Sequence, residues 1–123
     1  MQPCWQRLRQ LAEAEVEATL EALPEPLRAR AREVPVTFER RPGRELREEG
    51  YAPDTLGMFT GAPYGEEGLV PLPPQILLFL LNLWEFAGGD EEAFREEVRT
   101  TYLHELGHYL GLSEDELTER GLE

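Results

Sequence analysis

The 123-residue chain is strongly acidic, with 25 Asp and Glu against 12 basic residues, and its net charge is −13. This charge argues against a nucleic-acid or anionic-membrane partner, because both present negative charge themselves. The length suits a single core, so we expect one domain over residues 1–123.

The N-terminal part of the chain, residues 1–32, is predicted to be helical. Leucine and valine recur at helical spacing and glutamates fill the intervening positions. The first helix should end near Leu23, before Pro24 and Pro26, and one or two further turns follow over residues 27–33. No apolar segment of signal-peptide type is present, so we expect a cytoplasmic location.

Two strands are predicted in the next part of the chain. Residues 34–40 alternate apolar and polar side chains and are rich in β-branched residues, while Pro35 favours an edge position or the start of a strand. Residues 41–53 are charged and rich in turn-forming residues, which indicates a surface loop. Residues 56–61 form the second short strand.

A strongly apolar region follows, after a turn predicted over residues 63–68. Its prolines exclude a helix over residues 69–74. Residues 75–81 are apolar without interruption and are either a buried strand or the start of a buried helix, because periodicity does not separate the two. The run is far shorter than the ~20 residues that a membrane span requires. Gly88 and Gly89 end the region.

A long helix is predicted from the cap residue Asp90 to about Leu110, with a broad apolar face. Its second half contains His104-Glu105-Leu106-Gly107-His108, and these are the only two histidines of the chain. Residues four apart lie on one face of a helix, so both imidazoles can bind one Zn²⁺ ion. Glu105 stands beside them, where it can take a proton from a zinc-activated water.

A third protein ligand is expected, because catalytic zinc usually has three and keeps one position for water. A glycine three residues after the second histidine, Gly111, can reverse the chain, and the residue three further on is Glu114. The spacing thus predicts His104, His108 and Glu114 as metal ligands. Residues 113–116 also form a helix capping box, which explains Glu114 without a metal. Asp115 is the alternative ligand, followed by Glu116 and Glu119.

Three blocks of the sequence resemble a family of small bacterial metallopeptidase-like proteins with a minimal zincin fold. The blocks are Leu23-Pro24 with the 34–38 strand, the stretch Leu-Gly-Met-Phe-Thr-Gly-Ala-Pro at 56–63, and residues 72–79 with the 104–117 segment. The resemblance implies an α+β domain in which a small mixed β-sheet packs against the zinc-binding helix. It also implies that residues 76–80 form a strand. The family motif often has Asp at the position of Glu114.

The resemblance and the motif together predict a zinc-dependent metallopeptidase that acts on a peptide or protein substrate, with Glu105 as the catalytic general base. His and carboxylate ligands do not select zinc strictly, so another divalent ion is an alternative. Tyr51, Tyr64 and Tyr109 are candidates for a transition-state donor. The alternative functions are a metal-binding domain without turnover and a protein-interaction domain that uses its apolar 69–86 stretch.

Overall fold

The computed structural model describes residues 3–61, 73–112 and 115. Five helices and three strands follow one another within these ranges. In chain order they are α1 (Trp5–Ala22), α2 (Leu27–Ala31), β1 (Val36–Glu39), α3 (Arg44–Glu48), β2 (Gly57–Thr60), β3 (Gln75–Phe79), α4 (Leu80–Phe86) and α5 (Glu91–Tyr109).

The three strands form one mixed sheet in the order β1-β3-β2. Strand β1 is parallel to the central strand β3, with Val36 opposite Ile76, and β2 is antiparallel to β3, with Met58 opposite Leu77. Ile76 and Leu78 on one face of β3 are fully buried, whereas Leu77 on the other face is only partly buried. The predicted α+β fold with a small mixed sheet is therefore confirmed, and the strand that follows Pro35 lies at one end of the described sheet.

Helix α5 packs against both the sheet and the other long helix. It contacts β2 and β3 on one side and α1 and α4 on the others. Phe94, Val98, Tyr102 and Leu106 recur every four residues along α5, and each is fully buried. Burying one such side chain contributes about 1.5–3 kcal/mol, so this stripe holds the helix firmly in place.

The apolar stretch whose secondary structure the sequence left open contains both a strand and a helix. Strand β3 ends at Phe79 and α4 begins at once with Leu80, one residue before the strand end that the family resemblance implied. The predicted turn over residues 63–68 lies outside the described residues, as does most of the 69–74 segment. No helix within the described ranges has the length and apolar character needed to cross a membrane.

The prediction of a loop over residues 41–53 is wrong in one part, because it contains the five-residue helix α3. No residue of α3 is buried, so hydrophobic periodicity could not reveal it. An ion pair between Arg44 and Glu48, 3.1 Å long and one turn apart, supports it locally.

Buried Asn82 on α4 fixes the segment that leads into β2. Its amide nitrogen donates to the carbonyl oxygens of Pro53 (2.8 Å) and Thr55 (2.9 Å). Its side-chain oxygen accepts a 2.6 Å hydrogen bond from Arg41. Because a buried amide must be paired to be tolerated, these bonds determine how the chain enters β2.

Candidate metal centre

Both ends of the helix that carries the histidines are well defined. The side chain of Asp90 accepts a 2.8 Å hydrogen bond from the backbone N–H of Ala93, as the sequence predicted for the N-cap. At the other end Gly111 has a φ of +73°, and the N–H groups of Gly111 and Leu112 donate to the carbonyls of His108 and Gly107. This pattern is a Schellman motif, which ends the helix at Tyr109, the residue after its second histidine.

His104, Glu105 and His108 converge at the C-terminal end of α5. One nitrogen of each imidazole and one oxygen of the carboxylate all lie within 4.8 Å of one another. The imidazole ring centres are 4.6 Å apart. His104 is half-buried and the side chain of His108 is 48% exposed, so the pair opens toward solvent. His104 and His108 therefore lie on one face of α5, as their four-residue spacing predicted.

Glu105 occupies a different environment from the histidines. The residue is only 8% exposed, and its Oε1 lies 3.5 Å from Nδ1 of His108. Burial raises the pKa of the Glu105 carboxyl above its ordinary value, and the nearby His108 and His104 oppose that shift. A carboxylate whose pKa is raised toward neutrality is a better proton acceptor at physiological pH than an exposed one.

The positions of His104 and His108 fit a zinc ion. Two nitrogens bound to one tetrahedral zinc at ~2.05 Å stand about 3.3 Å apart, which lies within the 4.8 Å limit of this cluster. Imidazole nitrogens with a neighbouring carboxylate are also the donor types that zinc accepts. His104 and His108 would hold the metal, with Glu105 beside it.

The predicted third ligand, Glu114, lies outside the described residues, as do the alternatives Glu116 and Glu119. Asp115 is described; it is exposed and does not belong to the cluster of His104, Glu105 and His108. The positive φ of Gly111 is the chain reversal that the Glu114 prediction requires. Glu114 therefore stays the predicted third ligand.

A cavity of about 390 Å³ adjoins His104 and Glu105. Helix α5 forms one wall, the start of β2 forms another, and Phe86 of α4 stands at its side. Its lining residues are Leu56, Gly57, Phe86, Glu97, Thr100, Thr101, His104 and Glu105. His104 and Glu105 thus face an open cavity large enough for an amino-acid side chain.

Sequence analysis did not identify the other residues of this cavity. One helix face carries Glu97, Thr101 and His104, which have the spacing i, i+4, i+7. Following the face of His104 toward the N-terminus of the helix would therefore have identified Thr101 and Glu97. Leu56 and Phe86 reach the cavity only through tertiary packing, and no local signal marks them.

The three candidate tyrosines have different positions. Tyr109 is buried, with its ring centre 5.8 Å from that of Phe59 on β2, so it packs α5 against the sheet. Tyr51 is 39% exposed and precedes β2. Tyr64 lies outside the described residues.

Comparison with known proteins gives a family but no characterised relative. No curated protein matches the sequence. The sequence model of the family described as zincin-like metallopeptidase matches residues 31–122, which include the whole sheet, α5 and the cluster of His104, Glu105 and His108. Since the match extends over most of the chain, the protein belongs to the zincin-like metallopeptidase family.

Proposed function

We propose that the protein is a zinc-dependent peptidase. The observation that carries this proposal is the convergence of two histidines and a buried carboxylate on one helix face, beside a cavity bounded by a sheet edge. Membership of a metallopeptidase family supports it. Bound zinc would polarise the scissile carbonyl and acidify a water molecule.

Glu105 is the proposed general base. Its raised pKa suits a group that accepts a proton from the attacking water and delivers it to the leaving amine. His104 and His108 hold the metal, and Glu114 completes the ligand set.

Strand β2 is the proposed docking edge for the substrate backbone. It is at the end of the described sheet, it contacts α5, and its first residue lines the cavity. The other end strand, β1, makes no comparable contact with α5. An extended peptide paired with β2 would place a side chain over the cavity, in the mode of strand addition.

The decisive experiment measures zinc content and peptide hydrolysis in parallel. Wild-type protein, purified without a metal-affinity tag, should contain about one zinc per chain. Glu105→Gln should keep the zinc and lose about 10²–10⁴-fold in kcat, because only the proton transfer is removed. His108→Ala and Glu114→Ala should lose both metal and turnover.

The same experiment distinguishes the alternative functions. Zinc binding with hydrolysis unaffected by Glu105→Gln would contradict the proposed mechanism. Zinc binding with no hydrolysis of any peptide would identify a metal-binding domain without turnover. Absence of zinc from the wild type, even after zinc is supplied, would reject the peptidase. Zinc retained in Glu114→Ala would transfer the third-ligand role to another residue.

A further inference from the structure

The cavity beside the histidines combines an aromatic wall with an acidic group. Phe86 is 63% exposed, which is unusual for a large apolar side chain on a small protein. It borders this cavity, and it also borders a second one of about 430 Å³ formed with Asp54, Leu56, Asn82 and Glu85. Phe86 thus lies between two cavities that are both lined by acidic side chains.

Two acidic residues line this cavity, and Glu97 is the one that lies outside the cluster of His104, Glu105 and His108. Its carboxylate makes no hydrogen bond or ion pair with any residue in the described ranges. The positions three and four residues away on α5 are Ala93, Phe94, Thr100 and Thr101, so the helix supplies no cation to Glu97. Glu91 on the same helix differs, because Arg7 and Arg95 both bind it.

The cavity is also long. Glu97 and His104 are seven residues apart, which corresponds to about 10 Å along the helix axis. A short side chain entering beside His104 would not reach Glu97. A long side chain with an apolar stem and a charged end would contact both.

We propose that this cavity binds the side chain of an arginine or lysine next to the scissile bond of the peptide substrate, a proposal that rests on the proposed peptidase function. The methylene stem packs on Phe86 and Leu56, and the cationic end pairs with Glu97. The face of Phe86 adds a cation–π contact.

Other side chains fit this cavity less well. A purely apolar one would displace water from the Glu97 carboxylate without replacing its hydrogen bonds, which is unfavourable. An acidic one would face both Glu97 and Glu105 in a chain of net charge −13. Charge complementarity therefore selects a basic residue.

The test uses a probe that needs no turnover. The ¹⁵N-labelled full chain, supplied with zinc, is titrated by NMR with N-acetyl-arginine methylamide and with its citrulline counterpart, which has the same shape and no charge. We expect the arginine compound to shift the amide signals of Gly57, Glu97 and Thr101. Its dissociation constant should be about tenfold lower than that of the citrulline compound.

Two variants test whether the Glu97 carboxylate is responsible for this difference in affinity. Glu97→Gln should remove the difference between the two compounds. Glu96→Gln removes an exposed neighbouring charge that does not line the cavity, and it should leave the difference in place. Equal binding of the two compounds to wild-type protein would overturn the proposal.

Cleavage of a peptide mixture, with products identified by mass spectrometry, separates this proposal from the peptidase function. Enrichment of Arg and Lys next to the cleaved bond, lost in Glu97→Gln, supports both. Cleavage without that enrichment overturns the cavity assignment and leaves the peptidase in place. Arginine-selective binding without any cleavage rejects the peptidase and keeps the cavity as a site for basic side chains.

Discussion

Gly57, the first residue of β2, lies against α5. A Cβ atom at this position would lie 2.7 Å from Cγ2 of Thr101, 3.1 Å from the carbonyl oxygen of Leu77 and 3.2 Å from Cδ2 of Leu78. The missing side chain thus lets the sheet edge approach the helix beside the histidines. The width of the cavity depends on this contact.

Gly57→Ala should therefore destabilise the protein by about 1–3 kcal/mol, because the added methyl group overpacks the contact between β2 and α5. The free energy of unfolding, measured with urea, is the readout. Substrate binding should also weaken, because the added methyl group would move β2 away from α5.

Gly43→Ala is the matched control for this prediction. A Cβ there meets no described heavy atom within 4 Å, and Gly43 has a φ of −76°, which alanine adopts readily. Its stability should stay within about 1 kcal/mol of the wild type. Equal effects of the two substitutions would show that β2 is not packed as tightly on α5 as described.

The sequence could not show these residue contacts. The short strand over residues 56–61 was predicted. The close contact with Thr101 depends on how the sheet lies on the helix, which no local pattern encodes. By contrast, the shared face of His104 and His108 follows from helix geometry alone and was predictable.

At the scale of one element, α5 is attached to α1 through Glu91. Its carboxylate binds Arg95 (2.7 Å) on the same helix and Arg7 (3.0 Å) on α1. The hydrogen bond from Arg95, with help from Arg7, lowers the pKa of Glu91 below its ordinary value of 4.5. Glu91 also lies in the first turn of α5, where the helix dipole favours a negative charge.

This lowered pKa predicts a pH-dependent contribution to stability. A carboxyl whose pKa is lower in the folded state stabilises the protein above the unfolded-state pKa, and the contribution disappears as pH falls through the folded-state value. The melting temperature of Glu91→Gln should therefore be lower than that of the wild type at neutral pH. The difference should close as the pH falls below 4.5, and it should shrink at high salt.

Glu92→Gln is the control for the helix dipole. Glu92 lies in the same first turn, but it makes no hydrogen bond or ion pair with the described residues. Its substitution should lower the melting temperature less than that of Glu91. An equal decrease in melting temperature for Glu92→Gln would show that the stabilisation by Glu91 comes from the helix dipole rather than from its ion pairs with Arg7 and Arg95.

The predictability of each element depends on how its residues are stabilised. Helix α5 has a cap, a helical apolar stripe and a terminal glycine, and its predicted limits at Asp90 and Leu110 are confirmed as its two cap residues. Helix α3 has no buried residue and was missed. The start of the 75–86 stretch stayed ambiguous because its apolar residues run without interruption to Leu81, so the sequence has no period that separates strand from helix.

In the molecule as a whole, the helix that carries the candidate metal centre also belongs to the core that holds the fold together. Leu106 and Tyr102, on the opposite face of α5 from the cavity, are fully buried. The order of the strands, and the choice of β2 as the edge beside α5, could not be read from the sequence. They depend on contacts between segments far apart in the chain.

Because the ligands stand on a core helix, metal removal should lower the stability of the entire fold. Zinc that binds only the folded state at about 1,000 times its dissociation constant stabilises it by ~4 kcal/mol. A chelator should therefore lower the melting temperature by about 10 °C or more. His108→Ala provides the control and should melt at a temperature that does not respond to the chelator.

An unchanged melting temperature in the wild type would contradict a tight metal site. A response in both proteins would show that the chelator acts elsewhere on the molecule.

The Schellman motif at Gly111 has one further consequence, because it ends α5 immediately after the second histidine. The last turn of any helix frays, and His108 belongs to that turn. A metal held by both His104 and His108 would oppose this fraying, since the two imidazoles span the final turn. Part of the metal-binding free energy would then be used to order the end of the helix. Substitutions at Gly111 that loosen this end would therefore weaken metal binding without altering any ligand.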